Sequence, residues 1–560
     1  MTDGKRQTPQ GVWKEFQAGL DFNDRVNLAD TVETNENFFV GKQWEGVQSN
    51  GLPAPVFNFL KRVVLFQVAS VTTDNIKLNA SVLGSAADRD GARRIANIVN
   101  AEFEAAFEHN NVVTMLREYA RNAAVDGDGC MYTYWDETAE TGLPRKGAIV
   151  TEVLENDRVL FGDPNDRRVQ KQPYILIWTR EFTEDVKRRA GRCGGDADAV
   201  VSDTRADGGN TTFDIDGKTT VVLKLRRDRD DGRIYAFECT QNAVVRPEWD
   251  TGLRLYPVTW LNWDYVKDCY HGQAMITGLI PNQIFVNKAY AMSMLSLMSS
   301  AYPKTLIDGS RIANWDNRVG GVVRVNGGDI QSAAKILEPA QISPQISQFI
   351  DKAVEHTQTF LGATNAALGD TRPDNTSAII ALQRAAAVPS EITRQNLYRS
   401  VEELGRIYLD FMASFYGERA VEVSVPSELS PEVAQFAGID ATGTMTETFD
   451  FGVLREMPMR LKLDVGASSY WSEVASIQTL SNLLERGSID IVDFLERIPS
   501  GYIADQEKLL AKYRRMQGPA APAAPAVSAP SPESGQEMQL PMTAGNSQLQ
   551  RKITNDAMTR

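Results

Sequence analysis

The sequence predicts a mixed α+β chain built from several compact units. Apolar residues recur at helical spacing through residues 11–125, alternate in short β-branched and aromatic runs through 130–263, and return to helical spacing from 272 onward. The 560 residues are 42% hydrophobic and 24% charged, an ordinary globular balance. By length they make roughly three or four domains, with cores large enough to need neither disulfide nor metal.

Residues 11–50 read as helix, with Trp13, Phe16, Leu20, Phe22, Val26 and Leu28 as apolar positions, ending in the aromatic stretch 35–44 (NENFFVGKQW). Residues 53–59 (PAPVFNF) are extended, because each proline biases its predecessor away from helix. Helical runs follow at 60–71, 89–109 and 112–125, the second carrying Ile95, Ile98, Val99, Phe103 and Phe107 on one side. The glycines of DGDG (126–129) stop the third. Strands are expected at 130–135, 148–154, 174–179 and 254–263, and a β-hairpin at 219–226 and 233–239 around the turn 228–232. The Gly/Asp-rich stretch 191–210 reads as a mobile loop.

From 272 to 300 the helical period returns, with apolar residues spread over more than one face, as in a helix that packs against several neighbours. Residues 302–344 form an insert with Gly-Gly turns at 320–321 and 327–328 and a short strand at 322–325. Ser343-Pro344 fits an N-cap and first turn of a helix reaching about residue 361. The stretch 362–376 is a loop; Thr376 or Ser377 caps a helix of some 40 residues to about 416, about 60 Å long. Pro389 kinks it. Strands near 420–425 and 460–465 and helices at 470–485, 489–496 and 504–516 complete the ordered part. Residues 518–536 (GPAAPAAPAVSAPSPESGQ) read as a stiff disordered spacer before a polar tail.

Charge narrows the function classes. Lys plus Arg is 59 against 73 Asp plus Glu, a net charge of −14. A stoichiometric nucleic-acid coat must neutralise phosphates and is basic, so that class is excluded; a local basic patch, or a passage through which DNA slides, is not. Cys130, Cys193, Cys239 and Cys269 match no zinc spacing and read as reduced thiols. His109, His271 and His356 lie far apart, leaving little material for histidine chemistry. The opening MTDGKRQTPQ lacks an apolar core and is no signal peptide, and the least polar stretch, 289–303, is too short to span a bilayer.

Apparent catalytic motifs fail on context. Gly217-Lys218-Thr219-Thr220 has Thr212 where a phosphate-binding loop needs its first glycine, and a strand follows rather than a helix. DRDDG (228–232) places its glycine one position early for a calcium loop and has no closing Glu. There is no GxSxG elbow, HExxH or Gly-rich dinucleotide turn. Lys304, Arg311, Arg318 and Arg324 make the 302–343 insert locally basic, either as a solvated surface or as a docking face for DNA or an acidic partner. TRPDNT (371–376) is a helix-capping loop open to an additional role.

Several stretches together resemble portal proteins of tailed bacteriophages, of the short-tailed type. NFFVGKQW (37–44) followed by LPAPVFNFL (52–60) resembles their N-terminal signature, an aromatic-glycine-x-Gln-Trp element ahead of Pro-x-x-x-Asn and an apolar helix. FGDPN (161–165) is similar to their Asp-Pro turn, and NTSAIIALQR (375–384) to the tunnel loop and helix. Residues 466–499, with Leu-Leu-x-x-Gly-x-Ile at 483–489, resemble the C-terminal helical segment. The resemblance covers about residues 30–515 in order.

It implies a portal fold: a mixed α/β wing from 1–270 and 418–466, stem helices 271–301 and 344–368, a small α/β clip 302–343, a tunnel loop 369–377, a long kinked tunnel helix 378–417, a helical crown 467–516 and a disordered Pro/Ala-rich tail 517–560. It also implies a non-enzymatic dodecameric ring at one capsid vertex of the virion, assembled in the host cytoplasm, with no cofactor and no membrane span. Double-stranded DNA would pass through the ring during packaging and ejection. Terminase, capsid and scaffolding proteins, and tail adaptors would be its partners. On this reading Thr371, Arg372, Asp374, Asn375 and Thr376 line the DNA channel, while Lys304, Arg311, Arg318 and Arg324 face the partners of the clip. Alternatives left open are another structural virion protein, scaffold or tail component, and a packaging nuclease or ATPase.

Overall fold

The computed structural model describes residues 7–48, 51, 53–72, 76–82, 89–140, 146–203, 217–302, 304–316, 318, 320–337, 344–360, 390–424, 444–465, 470–486, 489–498, 509–510 and 513. The chain is mixed α+β, as the change of period predicts, and divides into two compact units, 1–473 and 474–560.

The first unit opens with helix α1 (Pro9–Arg25), where Thr8 accepts a hydrogen bond from the Gly11 amide and Pro9 occupies the first turn. Its Val12, Phe16 and Leu20, spaced by four, are buried. The long helix expected over 11–50 is in fact two, because Asn27 adopts a left-handed conformation (φ 54°) before α2 (Leu28–Val40). Helices α3 (Phe59–Thr72), α4 (Arg89–His109) and α5 (Val112–Asp126) follow, with strand β1 (Ile76–Val82) between the first two. Gly127 (φ 101°) ends α5, and a Cβ there would sit 2.7 Å from the Gly272 carbonyl oxygen.

Strands β2 (Asp128–Asp136), β3 (Ala148–Leu154), β4 (Val159–Phe161) and β5 (Tyr174–Phe182) lead into α6 (Thr183–Cys193). Strands β6 (Lys218–Arg227), β7 (Ile234–Cys239), β8 (Val244–Asp250) and β9 (Val258–Asn262) follow. They form an antiparallel five-stranded sheet, β4-β5-β6-β7-β8, and a three-stranded one, β3-β2-β9. The β6–β7 hairpin turns at the expected residues 228–232. Within the stretch read as a loop, 191–193 instead close a helix and 197–199 form a 3-10 turn. Gly195 is pressed there against the backbone carbonyls of Val244 and Val245, where no Cβ would fit.

Helix α7 (Ile280–Ala301) begins eight residues later than its periodicity suggests, because Gln273 is bridged to Asp264 and Pro281 fits only a first turn. The insert pairs strands β10 (Thr305–Ile307) and β11 (Ala334–Ile336), while residues 322–325, expected as a strand, join no strand among the described residues. Helix α8 (Pro344–Phe360) returns. Helix α9 (Glu391–Phe411) continues through a π-turn to Tyr416; the preceding 361–389, with the expected Pro389 kink, lie outside the described residues. Strands β12 (Glu418–Ser424), β13 (Thr444–Asp450) and β14 (Met459–Val465) complete the unit.

Two long-range pairings close this unit. Strand β14 returns to β1, Ile76 opposite Val465, joining segments almost 400 residues apart. Arg94 and Glu447 form an ion pair between α4 and β13. Above the β1–β14 pair, Gly405 of α9 lies so close to Leu78 that a Cβ would clash at 2.6 Å. One buried cluster, from Leu60 and Val64 through Tyr119, Met131 and Trp260 to Leu404, Tyr408 and Phe451, runs through these elements.

The second unit contains most of helix α10 (Tyr470–Glu485) and α11 (Ile491–Arg497), the latter capped by Asp490. Among the described residues of this unit, Leu495 and Ile498 are buried.

Candidate functional site

The most informative site is the paired-helix projection formed by α7, the insert and α8. Polar residues at its root are buried, and apolar residues along its length are exposed, the reverse of an ordinary surface helix.

The root is held by the two N-terminal motifs. Asn287 of α7, 2% exposed, donates through Nδ2 to Gln43 Oε1 at 2.6 Å. Gln283 Nε2 donates to Asn287 Oδ1 at 2.9 Å and to the Phe57 carbonyl at 2.8 Å. Gln43 Nε2 and Asn58 Nδ2 both donate to the Phe38 carbonyl, and Trp44 Nε1 donates to the Pro55 carbonyl. The Phe57 ring stacks on Tyr290 at 4.0 Å. NFFVGKQW and PAPVFNF thus fold into a clamp around the first two turns of α7. Buried amides are retained only when paired, so this network fixes where the helix leaves the body.

Beyond the root, α7 exposes Met292, Leu295, Leu297 and Met298, with Met292 70% and Leu297 59% exposed. Helix α8 exposes Phe349 at 63%. The start of α7 meets the end of α8, where Asn282 Nδ2 donates to Thr357 Oγ1 at 3.1 Å. The two helices therefore run out to the insert and back. Exposed apolar side chains at this density are unusual on the surface of a single chain. Each such side chain gains about 1.5–3 kcal/mol when fully buried.

At the far end, the four basic residues singled out from sequence divide into two kinds. Arg311 is held inside the insert by Asp308 at 2.9 Å and by Ser332. Ser310 and Arg311 hold the Asp308 carboxyl down at about 2. Arg318 grips Asp316 through Nε and Nη2, 3.1 Å at the latter. Lys304 and Arg324 are exposed and form no ion pair among the described residues. Arg311 and Arg318 thus have carboxylate partners already, which leaves Lys304 and Arg324 as the available charges. The channel candidates Thr371, Arg372, Asp374, Asn375 and Thr376 lie outside the described residues.

A second buried polar cluster sits below the root. Asp128 accepts from the Gly272 amide and Asn262 Nδ2, each at 2.7 Å, and pairs with His271 Nδ1 at 2.7 Å. The other ring nitrogen of His271 contacts Asn23 Oδ1 at 3.0 Å. Both nitrogens are occupied and the ring is packed against Tyr270 and Trp260, so this histidine staples the 264–272 segment to β2 and α1. Among the described residues no group of three or more His, Cys, Asp or Glu could hold a metal ion, and no helix is long and apolar enough to cross a membrane.

Sequence reasoning found the basic insert and the two N-terminal motifs, but not the clamp that joins those motifs to Gln283 and Asn287. The available signal was the presence of two amides four residues apart in an otherwise apolar helix.

The fold is thus a mixed α+β body carrying a helix–insert–helix projection, with exposed apolar side chains on both of its helices. Residues 175–428 match the family model described as Phage P22-like portal protein, and this match supports a phage portal protein of the short-tailed P22 type. The matched stretch takes in β5, the whole projection and α9; the N-terminal motifs and the segment 466–499 lie outside it. No curated protein matches the chain.

Proposed function

We propose that the chain forms a closed ring at one capsid vertex, through which double-stranded DNA enters and leaves, and which docks the terminase and later the tail adaptors. The carrying observation is the helix–insert–helix projection inside the family-matched stretch. Its exposed apolar faces suit burial against neighbouring copies, since a heterologous contact repeated around an axis closes into a ring. The ring is a dodecamer in this reading, with wing, stem, clip, tunnel and crown divided as the resemblance implies. The wing assignment draws support from the β1–β14 pair and the Arg94–Glu447 contact, which join the early and late segments.

In this role the protein is a conduit and platform rather than an enzyme. The net charge of −14 suits a passage that must let phosphates slide, because tight neutralisation would hold DNA in place. Arg372, Asp374 and Asn375 would line the narrowest point, and Lys304 and Arg324 would meet an acidic adaptor or DNA. Capsids assembled with a chain carrying R372A and D374A are expected to contain intact rings and little DNA. Normal DNA filling of those capsids would remove the channel-lining assignment.

A further inference from the structure

A pocket of about 390 Å³ lies in the first unit between the 167–171 segment, β9 and α9. Arg167, Arg168, Lys171 and Arg399, all exposed, are among its lining residues, with Trp260 and the carboxylate-bearing Glu403. So many cations around one cavity are unexpected in a chain with 14 more acidic than basic side chains. Their partners are few. Arg168 is taken up by Asp166 at 2.5 Å. Arg167 lies over the Tyr265 ring at 4.2 Å. Lys171 and Arg399 form no ion pair among the described residues.

The rim is rigidly built. Gln170 Oε1 accepts from Arg227 Nη2 and from the Tyr256 amide, each at 2.9 Å, and Arg227 Nη1 donates to the Gln170 carbonyl at 2.7 Å. Gln172 Oε1 accepts from the Asp163 amide at 2.8 Å, which ties in the FGDPN turn, and Val169 is 4% exposed. On the facing helix, Asn396, Arg399, Ser400 and Glu403 share one face at three- and four-residue spacing. Burial pushes the Glu403 carboxyl up, against a hydrogen bond with Gln170 and the nearby Arg406, which hold it down.

An excess of cations around one cavity favours an anion there, although Arg168 is paired with Asp166 and Lys171 also lies in the field of that carboxylate. The cavity also falls in the size range of small-ligand sites, about 300–1,000 Å³. We propose that this pocket binds a phosphate group, with Lys171 and Arg399 as its principal charge partners, Arg167 assisting, and Trp260 beside it. Free polyphosphate and the DNA backbone present the same chemistry, and either could fill it. The proposal concerns the body of the chain and stands whether or not the ring reading holds.

The test uses the full chain in a chloride buffer with two probes: tripolyphosphate followed by calorimetry, and a labelled duplex of about 30 base pairs followed by anisotropy at several salt concentrations. The parent chain should bind tripolyphosphate, and K171Q with R399Q should weaken it at least about tenfold, as expected for loss of charge-assisted contacts. If duplex competes with tripolyphosphate, the backbone is a source, and the salt slope should fall by about two in the double variant. If only tripolyphosphate binds, the site serves free oxyanions. E403Q, which removes the opposing carboxylate, should bind at least as tightly as the parent. Absence of binding by both probes, equal binding in the double variant, or weaker binding in E403Q overturns the proposal.

Discussion

Replacing Asn287 with alanine tests whether the N-terminal motifs anchor the projection. Asn287 and Gln283 are 2% and 0% exposed, and Gln43 is 7% exposed, so water cannot replace a lost partner. Truncation strands Gln43 Oε1, whose bond is 2.6 Å, and removes one of the two acceptors of Gln283 Nε2. Gln43 Nε2 keeps the Phe38 carbonyl, and Gln283 Nε2 keeps that of Phe57. A buried group left unsatisfied costs about 1–3 kcal/mol, so N287A should destabilise the root by about 2–4 kcal/mol. In a multi-unit chain a global unfolding curve is a poor gauge, so the readout is amide exchange in peptides covering 280–290. Exchange there should accelerate by about 30-fold or more, at tenfold per 1.4 kcal/mol. Q43A should produce a smaller change, and the double variant should fall short of the sum by about 1 kcal/mol, because the two side chains share one bond. Exchange within about threefold of the parent, or strictly additive effects, would refute the clamp.

M292S with L297S removes side chains 70% and 59% exposed in the single chain, and should weaken self-association by about 2–4 kcal/mol per contact; sedimentation profiles unchanged across a concentration series would contradict this. G127A puts a methyl 2.7 Å from the Gly272 carbonyl at φ 101°, and should cost about 1–3 kcal/mol, read as faster exchange in residues 120–130. Asp126 is raised well above the usual carboxylate range by burial and by Glu36, so its protonated form is favoured in the fold. The stability this group contributes is complete below its unfolded value near 4 and fades as pH rises through the raised folded value. D126N should therefore gain on the parent between pH 5 and 8 by more than about 1 kcal/mol, read as protection of peptides covering 120–130 corrected for intrinsic exchange, and a pH-independent difference in that protection would count against it.

Much of this was readable from residue order, and the exceptions have physical causes. Helices 89–109 and 112–126 and the β6–β7 hairpin declared themselves through strong periodicity and clear turn residues. The break at Asn27 was hidden, because an asparagine in a left-handed conformation leaves no gap in an apolar pattern. Strand β1 was missed because its partner, β14, lies almost 400 residues away and only that pairing makes IKLNASV a strand. At the projection, the apolar character of 289–303 was plain, but the root was not, since the meeting of Gln43, Gln283 and Asn287 is a tertiary event. In the insert, sequence identified four cations. The structure shows that Asp308 and Asp316 engage two of them.

Imaging of the purified chain by electron microscopy, with mass measurement alongside, tests the central claim most directly. The expected particle is a closed ring of about twelve copies, with the α7–α8 projections packed side by side around a hole wide enough for a DNA duplex. A compact closed dimer, or an open filament without a central passage, would contradict it.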